Sequence, residues 1–402
     1  MNAGRGTSVF QNALVWFGAA VSIAEIEAGG QLAAIATGAR FRDVAAAVIL
    51  GHLIGGVLLF IVGLIGARAR QSAMDCVKTP FGRWGAGFFA IANIVQLLGW
   101  TAVMVAQGAQ AASELLPRST FAQLAVCIGL LVALWIFVGL GGASRVNSVA
   151  MVLLFALTVF LCVRLFGGGA GSGALWRGGE VAGKGVFWAA LELSVAMPLS
   201  WLPLVADYTK DARGPVAASA ASAATYTVVS TWMYGIGLGA ALASGGESFA
   251  KCLAGVGVFN AGVLVVILST VTTTYLDAYS AGESARSLWG RLPAKGVGVA
   301  VCALGTLVAI FIGMEYYIDF LYLIASVFAP MAAVQIADWL VSRGAMGRRP
   351  AISVCVNIAA WIVGVATYHV ALAHNCPVGA TIPAMAFSAA LVVVGGRMCR
   401  SS

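Results

Sequence analysis

Two stretches, Ser22-Ile-Ala-Glu-Ile-Glu-Ala-Gly-Gly30 and Glu192-Leu-Ser-Val-Ala-Met-Pro-Leu-Ser-Trp-Leu-Pro203, decide how this chain is read. Each sits inside a long apolar run, and each carries at least one carboxylate, Glu25 and Glu27 in the first and Glu192 in the second, in surroundings where inserting one costs at least about 2.5–3.5 kcal/mol. Each also holds residues that interrupt helices: Gly29–Gly30 in the first, and Pro198 and Pro203, which lack a backbone donor, in the second. Backbone groups freed at bilayer depth persist only where they line a cavity or meet a ligand. Two interrupted helices five spans apart therefore predict one shared site.

Working outward, the 402 residues are 61% hydrophobic and 9% charged, with a mean hydropathy of +0.95. Soluble chains are about 45–50% apolar and about 25% charged. The composition excludes a soluble enzyme, a disordered chain, a coiled coil and a disulfide scaffold. The apolar runs last roughly 18–25 residues and do not alternate in ten-residue segments, so the spans are helices and not barrel strands. Twelve cores are predicted, near 12–37, 43–67, 84–112, 121–140, 148–166, 186–206, 219–243, 255–281, 297–313, 317–341, 352–371 and 378–395. The first run, long and rich in glycine, reads as a span and not as a cleaved signal.

The basic residues test that count. With both termini inside, Arg5, Arg68, Arg70, Lys78, Arg83, Arg145, Lys210, Arg213, Arg286, Arg291, Lys295, Arg343, Arg348, Arg349, Arg397 and Arg400 are cytoplasmic. Only Arg40, Arg42, Arg118, Arg164, Arg177, Lys184 and Lys251 fall outside, a split of 16 to 7 that obeys the positive-inside rule. The net charge of +8 is spread singly over inner loops, which suits lipid headgroups and gives no footprint for nucleic acid. Eight cysteines without a C-x-x-C and three scattered histidines give no metal or redox motif. His52, inside a span, reads as a satisfied core residue.

Glu25, Glu27, Glu192 and Asp277 are the acids that need explaining; Asp277 lies near a span end, where water or a salt bridge would satisfy it. If spans 1–5 and 6–10 are two units, an odd helix count forces the second to be inverted, which pairs the breaks in spans one and six. Ser269, Thr272 and Thr273 stand at i, i+3 and i+4 on one helix face. Facing carbonyls from the first break, they would form an oxygen cage for Na⁺, although hydroxyls also bond back to their own helix. Trp100, one turn after Gln96, offers a planar face beside an amide that donates and accepts. An ion channel would need repeated filter carbonyls or charge rings, and a membrane enzyme would need a His or Ser/Lys constellation; neither pattern is in the sequence. An amino-acid carrier stays open as an alternative.

Val15-Trp-Phe-Gly18, Pro198-Leu-Ser-Trp-Leu-Pro-Leu-Val-Ala-Asp-Tyr-Thr-Lys210, Thr272-Thr-Thr274, and Phe328-Ala-Pro330 followed by Asp338-Trp339 and Arg343 resemble the nucleobase:cation symporter-1 family, nearest to CytX-type hydroxymethylpyrimidine transporters. The resemblance implies one all-α domain over 1–402 with a LeuT-like fold. Two inverted five-helix repeats would cover about 12–166 and 186–341, and two extra helices about 352–395. It implies alternating access coupled to Na⁺ or H⁺ in a bacterial inner membrane, a small heterocyclic substrate with cytosine, purines and other nucleobases as alternatives, and no enzyme activity. Neither a further cofactor nor an obligate protein partner is implied. The implied cation site is Gly18, Val21, Ser269, Thr272 and Thr273. The implied substrate site draws on Ser22, Glu25, Glu27, Gln96, Trp100, Glu192, Met197 and Ser200. This chain departs from its relatives at Met197 or Pro198, where they carry a second aromatic, and at Thr274, where they often carry Asn. A carboxylate at Glu25, Glu27 or Glu192 would instead accept from an aminopyrimidine's NH₂ and ring nitrogen.

Overall fold

The computed structural model describes residues 6–35, 38–167, 180–244, 259–312 and 316–401. The expected start of span eight at 255–258, and Arg5, Arg177, Lys251 and Cys252, lie outside the described residues. Within them the chain is helical, with two isolated bridge pairs, Thr7 to Ala212 and Ala39 to Glu180. The helices are α1 (Val9–Ala20), α2 (Ile23–Ile35), α3 (Phe41–Ala69), α4 (Ala73–Leu115), α5 (Phe121–Phe166), α6 (Lys184–Ser200) and α7 (Val205–Thr209). They continue with α8 (Pro215–Ser244), α9 (Phe259–Leu288), α10 (Ala294–Phe311), α11 (Tyr317–Val341), α12 (Ala351–Ala373) and α13 (Thr381–Ser401).

Local chemistry sets several boundaries. Ser8 and Gln11 form a reciprocal capping box that starts α1, and Thr120 with Gln123 does the same for α5. Arg70 closes α3 in the left-handed conformation, with its N–H on the Gly66 carbonyl. α4 begins eleven residues before the expected core at 84 and is kinked at Gly82, whose φ of 66° a side chain rarely adopts. The first turn of α4, two turns before the kink, carries Asp75. Its carboxylate accepts from Ser72 Oγ, Lys78 Nζ and Ser287 Oγ.

Helix α5 covers two expected spans in one unbroken assignment, with no loop at 141–147. A straight helix of 46 residues would be about 69 Å long, twice one crossing. Its two arms nevertheless have different neighbours. Gly129 meets Thr306 of α10, and the Phe137 carbonyl accepts from Lys295, whereas Phe155 packs on Phe17 and Trp232, and Phe166 on Phe41. Phe41 and Phe166 therefore share one end of the bundle while Phe137 and Lys295 share the other.

Helices α3, α4, α10, α11 and α12 are long and apolar enough to cross a membrane singly, and α1 with α2 crosses as a pair bent by 47°. Apolar side chains such as Ile49, Leu53 and Val57 on α3 and Leu130 and Leu134 on α5 remain exposed at helical spacing, which marks the lipid face. Close helix contacts inside depend on small residues. The Pro198 ring sits where a Cβ on Gly55 would approach to 2.1 Å, so α6 can lie on α3 only over glycine.

Candidate functional site

Span one breaks at Val21–Ser22, where Val21 takes φ −80° and ψ 77° between α1 and α2. This corrects the expectation at Gly29–Gly30, which are helical. Gly29 is there for packing: a Cβ on it would stand 2.3 Å from the Tyr234 carbonyl oxygen of α8. Span six breaks at Trp201–Leu204, after α6 and before α7, with Pro203 inside the break and Pro198 still helical.

The two breaks face each other across a cavity with about 360 Å³ of empty space. Its walls lie close together, so the cavity is a narrow slot. Ser22, Ala24 and Glu25 line it from span one, and Met197, Ser200, Trp201 and Leu204 from span six. Trp100 and Met104 of α4 and Thr273 and Asp277 of α9 complete it. Five of the eight substrate-site candidates, Ser22, Glu25, Trp100, Met197 and Ser200, are thus brought together, along with Thr273 from the cation set. No Lys, Arg or His is among the lining residues.

Glu25 is 1% exposed. Its two carboxylate oxygens accept from Tyr226 Oη and Ser230 Oγ, each at 2.7 Å. A carboxylate accepts about four hydrogen bonds, so capacity is left on the slot side. Asp277, one turn after Thr273, lines the slot with no hydrogen-bond or ion-pair partner among the described residues. Trp100 is held edge-on by Tyr317 and Phe320, at 6.1 and 5.6 Å between centroids. Trp201 packs edge-on against Trp16 and Tyr226.

Three candidates stand elsewhere. Glu192 accepts from Ala380 N, Thr381 N and Thr381 Oγ1 at 3.0, 3.1 and 2.6 Å, and so caps the first turn of α13. Gln96 serves the second break: its Nε2 donates to the Ser200 carbonyl and to Asn93, while Asn93 donates to the Pro203 carbonyl. These amides satisfy carbonyls that the broken helix frees, so Gln96 stands behind the slot and does not line it. Glu27, on the same helix as Glu25 but about 200° around it, is only half-buried and does not line the slot.

Of the cation set, Ser269 Oγ donates to the Val21 carbonyl at 3.1 Å, which joins α9 to the first break. Thr272 Oγ1 donates to the Ser269 carbonyl at 3.0 Å, and Thr273 Oγ1 is buried without a partner. Gly18 lies one turn before Val21 in α1. Hydroxyl and carbonyl oxygens are the ligand types a small hard cation takes.

Sequence reasoning underweighted Asp277 and did not single out Trp201 or Met104. Helical spacing from Thr273 to Asp277, i to i+4, was the available signal for the acid.

A family profile described as permease for cytosine/purines, uracil, thiamine, allantoin matches residues 2–394. Cytosine permease of Escherichia coli K12 is 24% identical over 312 residues, 77% of this chain and 73% of its own. Among solved structures, Mhp1, a nucleobase-cation-symport-1 family transporter in a closed conformation with bromovinylhydantoin bound, superposes with a TM-score of 0.79 at 20% identity. The match covers 99% of this chain and 94% of that one. A Na⁺-coupled sialic acid symporter in a substrate-bound outward-open state gives 0.70 at 12% identity, covering 97% and 89%. MhsT in complex with L-phenylalanine gives 0.65 at 13% identity, covering 99% of both chains. The architecture is the LeuT-like one, with two inverted five-helix repeats and two further helices.

Proposed function

We propose, from the premise that this chain belongs to the family of permeases for cytosine/purines, uracil, thiamine and allantoin, that it imports an amino-substituted pyrimidine of the hydroxymethylpyrimidine kind by cation-coupled alternating access. The observation that carries the reading is the slot itself, with two buried carboxylates, Glu25 and Asp277, two indoles, Trp100 and Trp201, and no cationic side chain. Such a lining repels anions and favours a flat ring rich in donors. The exocyclic NH₂ of an aminopyrimidine would donate to a carboxylate through a charge-assisted bond, while the ring covers an indole face. A carrier of α-amino acids would have to seat a carboxylate beside Glu25 and Asp277 with no Lys, Arg or His in the lining to pair with it.

Na⁺ is the coupling ion that the Val21 and Gly18 carbonyls with Ser269, Thr272 and Thr273 suit best. Their hydroxyls and carbonyls come from α9 and from the end of α1, which Ser269 Oγ already joins to the Val21 carbonyl, so ion binding would hold the two helices together beside the slot. The 16 to 7 split of basic residues supports cytoplasmic termini in a bacterial inner membrane.

Uptake of labelled 4-amino-5-hydroxymethyl-2-methylpyrimidine into cells expressing the protein, in Na⁺ or choline medium, tests the reading. Saturable, Na⁺-dependent uptake should be blocked by excess cytosine, which shares the amine, and left intact by excess uracil or phenylalanine. Blockage by phenylalanine alone, or uptake no greater than in cells without the protein, would overturn it.

A further inference from the structure

The slot is wired to a second titratable group. Behind Glu25, Ser230 Oγ of α8 lies 2.7 Å from His52 Nε2 of α3. His52 Nδ1 in turn stands 3.0 Å from the Val48 carbonyl and 2.7 Å from Ser194 Oγ of α6. Ser194 Oγ donates to that same carbonyl at 2.8 Å. His52 and Ser230 are fully buried. Nothing in composition or spacing joins residues 25, 52, 194 and 230; the packing of α2, α3, α6 and α8 does.

Counting hydrogens leaves this chain few states. The Val48 carbonyl can only accept, so Nδ1 carries a proton. Ser230 has one hydroxyl hydrogen to share between Glu25 and His52, each at 2.7 Å, with the Tyr226 hydroxyl, which itself donates to Glu25, close by. If it donates to a Glu25 carboxylate, then Nε2 must donate to Ser230, and His52 is an imidazolium. If Glu25 is protonated and donates to Ser230, then Ser230 donates to Nε2, and His52 is neutral. Both states satisfy every contact and hold the same number of protons. Ionised Glu25 with neutral His52 satisfies fewer: with the proton on Nδ1, Ser230 cannot serve both sides, and with it on Nε2, Ser194 must turn to Nδ1 and the Val48 carbonyl loses both side-chain donors.

We infer that Glu25, Ser230 and His52 form a proton shuttle in which His52 takes the Glu25 proton when substrate arrives and returns it when substrate leaves. The Glu25 Oε2–H bond breaks as a Ser230 Oγ–H bond forms, and the original Ser230 hydrogen passes to His52 Nε2. The carboxyl becomes a carboxylate, the imidazole an imidazolium, and no proton enters from water. In the empty slot the buried acid is thus neutral, which avoids the cost of an unpaired charge. In the filled slot it is the anion that accepts from the substrate. His52 is a positioning residue that never touches the ring. Other titratable groups around the chain are Tyr226 and Tyr234 of α8, the latter with its ring 4.7 Å from His52, Tyr317 of α11, which donates to the Ala24 carbonyl, Glu27 of α2, and Asp277 across the slot from α9. None of them bridges Ser230 and His52.

The inference rests on Glu25 facing substrate, and the test separates the two. Calorimetric titration of the purified, full-length protein with 4-amino-5-hydroxymethyl-2-methylpyrimidine and with cytosine, in buffers of different ionisation enthalpy and across pH, counts protons released on binding. Wild type should release none and bind with an affinity flat in pH. His52→Gln and Ser230→Ala should each release about one proton per ligand, with affinity falling tenfold for each pH unit lowered. Using both variants guards against one failing to fold. If both bind without proton release and as flatly as wild type, or if wild type itself releases a proton, the shuttle is refuted while Glu25 keeps its role. If Glu25→Gln binds both probes as wild type does, or wild type binds neither, the substrate reading fails and the shuttle with it.

Discussion

Replacing Glu192 by glutamine should damage the fold and spare transport, the reverse of what a substrate carboxylate would do. Glu192 meets three donors at the start of α13, the N–H groups of Ala380 and Thr381 and the Thr381 hydroxyl, and is itself 3% exposed. Gly379, at φ 76°, lets the chain turn tightly over the carboxylate, since a Cβ there would stand 2.5 Å from Oε2. Glutamine keeps one acceptor but turns its NH₂ toward at least one of those donors. Hydrogen bonds to a charged group contribute about 1.5–3 kcal/mol each, and a negative charge at a helix N-terminus adds up to about 2 kcal/mol. Losing one such bond and most of the charge should cost about 2–4 kcal/mol in docking α13. At roughly 2 °C per kcal/mol for a large chain, the apparent Tm of detergent-purified protein should fall by about 4–8 °C, while the KM for uptake stays within twofold of wild type. An unchanged Tm with a KM raised tenfold or more would refute the reasoning and return Glu192 to the substrate.

Three further substitutions probe other parts of the molecule. Gly29→Ala puts a methyl 2.3 Å from the Tyr234 carbonyl oxygen and must push α2 from α8; overpacking costs about 1–3 kcal/mol or more, so folded yield on size exclusion should drop well below wild type. Thr273→Ala removes a buried hydroxyl that has no partner, so Tm without Na⁺ should hold or rise while the Na⁺ concentration giving half-maximal uptake rises about tenfold. Asp277→Asn keeps the shape of the slot and removes one of its two carboxyl groups; the KM for an aminopyrimidine should rise at least fivefold, with the Tm unchanged.

Much of the architecture was legible because a membrane punishes polar residues and broken backbone. Long apolar runs marked the helices that can cross a membrane, and the need to house Glu25 and the two breaks brought spans one, three, six and eight to one cavity. What the sequence hid was direction and partnership. Gly29–Gly30 reads equally as a break or as a contact surface, and only the nearness of Tyr234 decides for contact. The true break at Val21–Ser22 has no composition to mark it. Glu192 looked like Glu25 because its partner, Thr381, lies 189 residues away. Gln96 looked like a base reader, but the carbonyls freed at Ser200 and Pro203 engage Gln96 and Asn93. His52 read as a satisfied core residue, and both ring nitrogens do have partners. Its link to Glu25 runs through Ser230, a residue with no signature of its own.

The central claim is that Glu25 reads the amine of the substrate, and a double comparison tests it most directly. Affinities of wild type and Glu25→Gln are measured for 4-amino-5-hydroxymethyl-2-methylpyrimidine and for the same ring without the amine. Wild type should prefer the amine-bearing ligand by about 10- to 150-fold, the equivalent of one charge-assisted hydrogen bond of about 1.5–3 kcal/mol, and Glu25→Gln should lose most of that preference. An equal preference in both proteins would contradict the account.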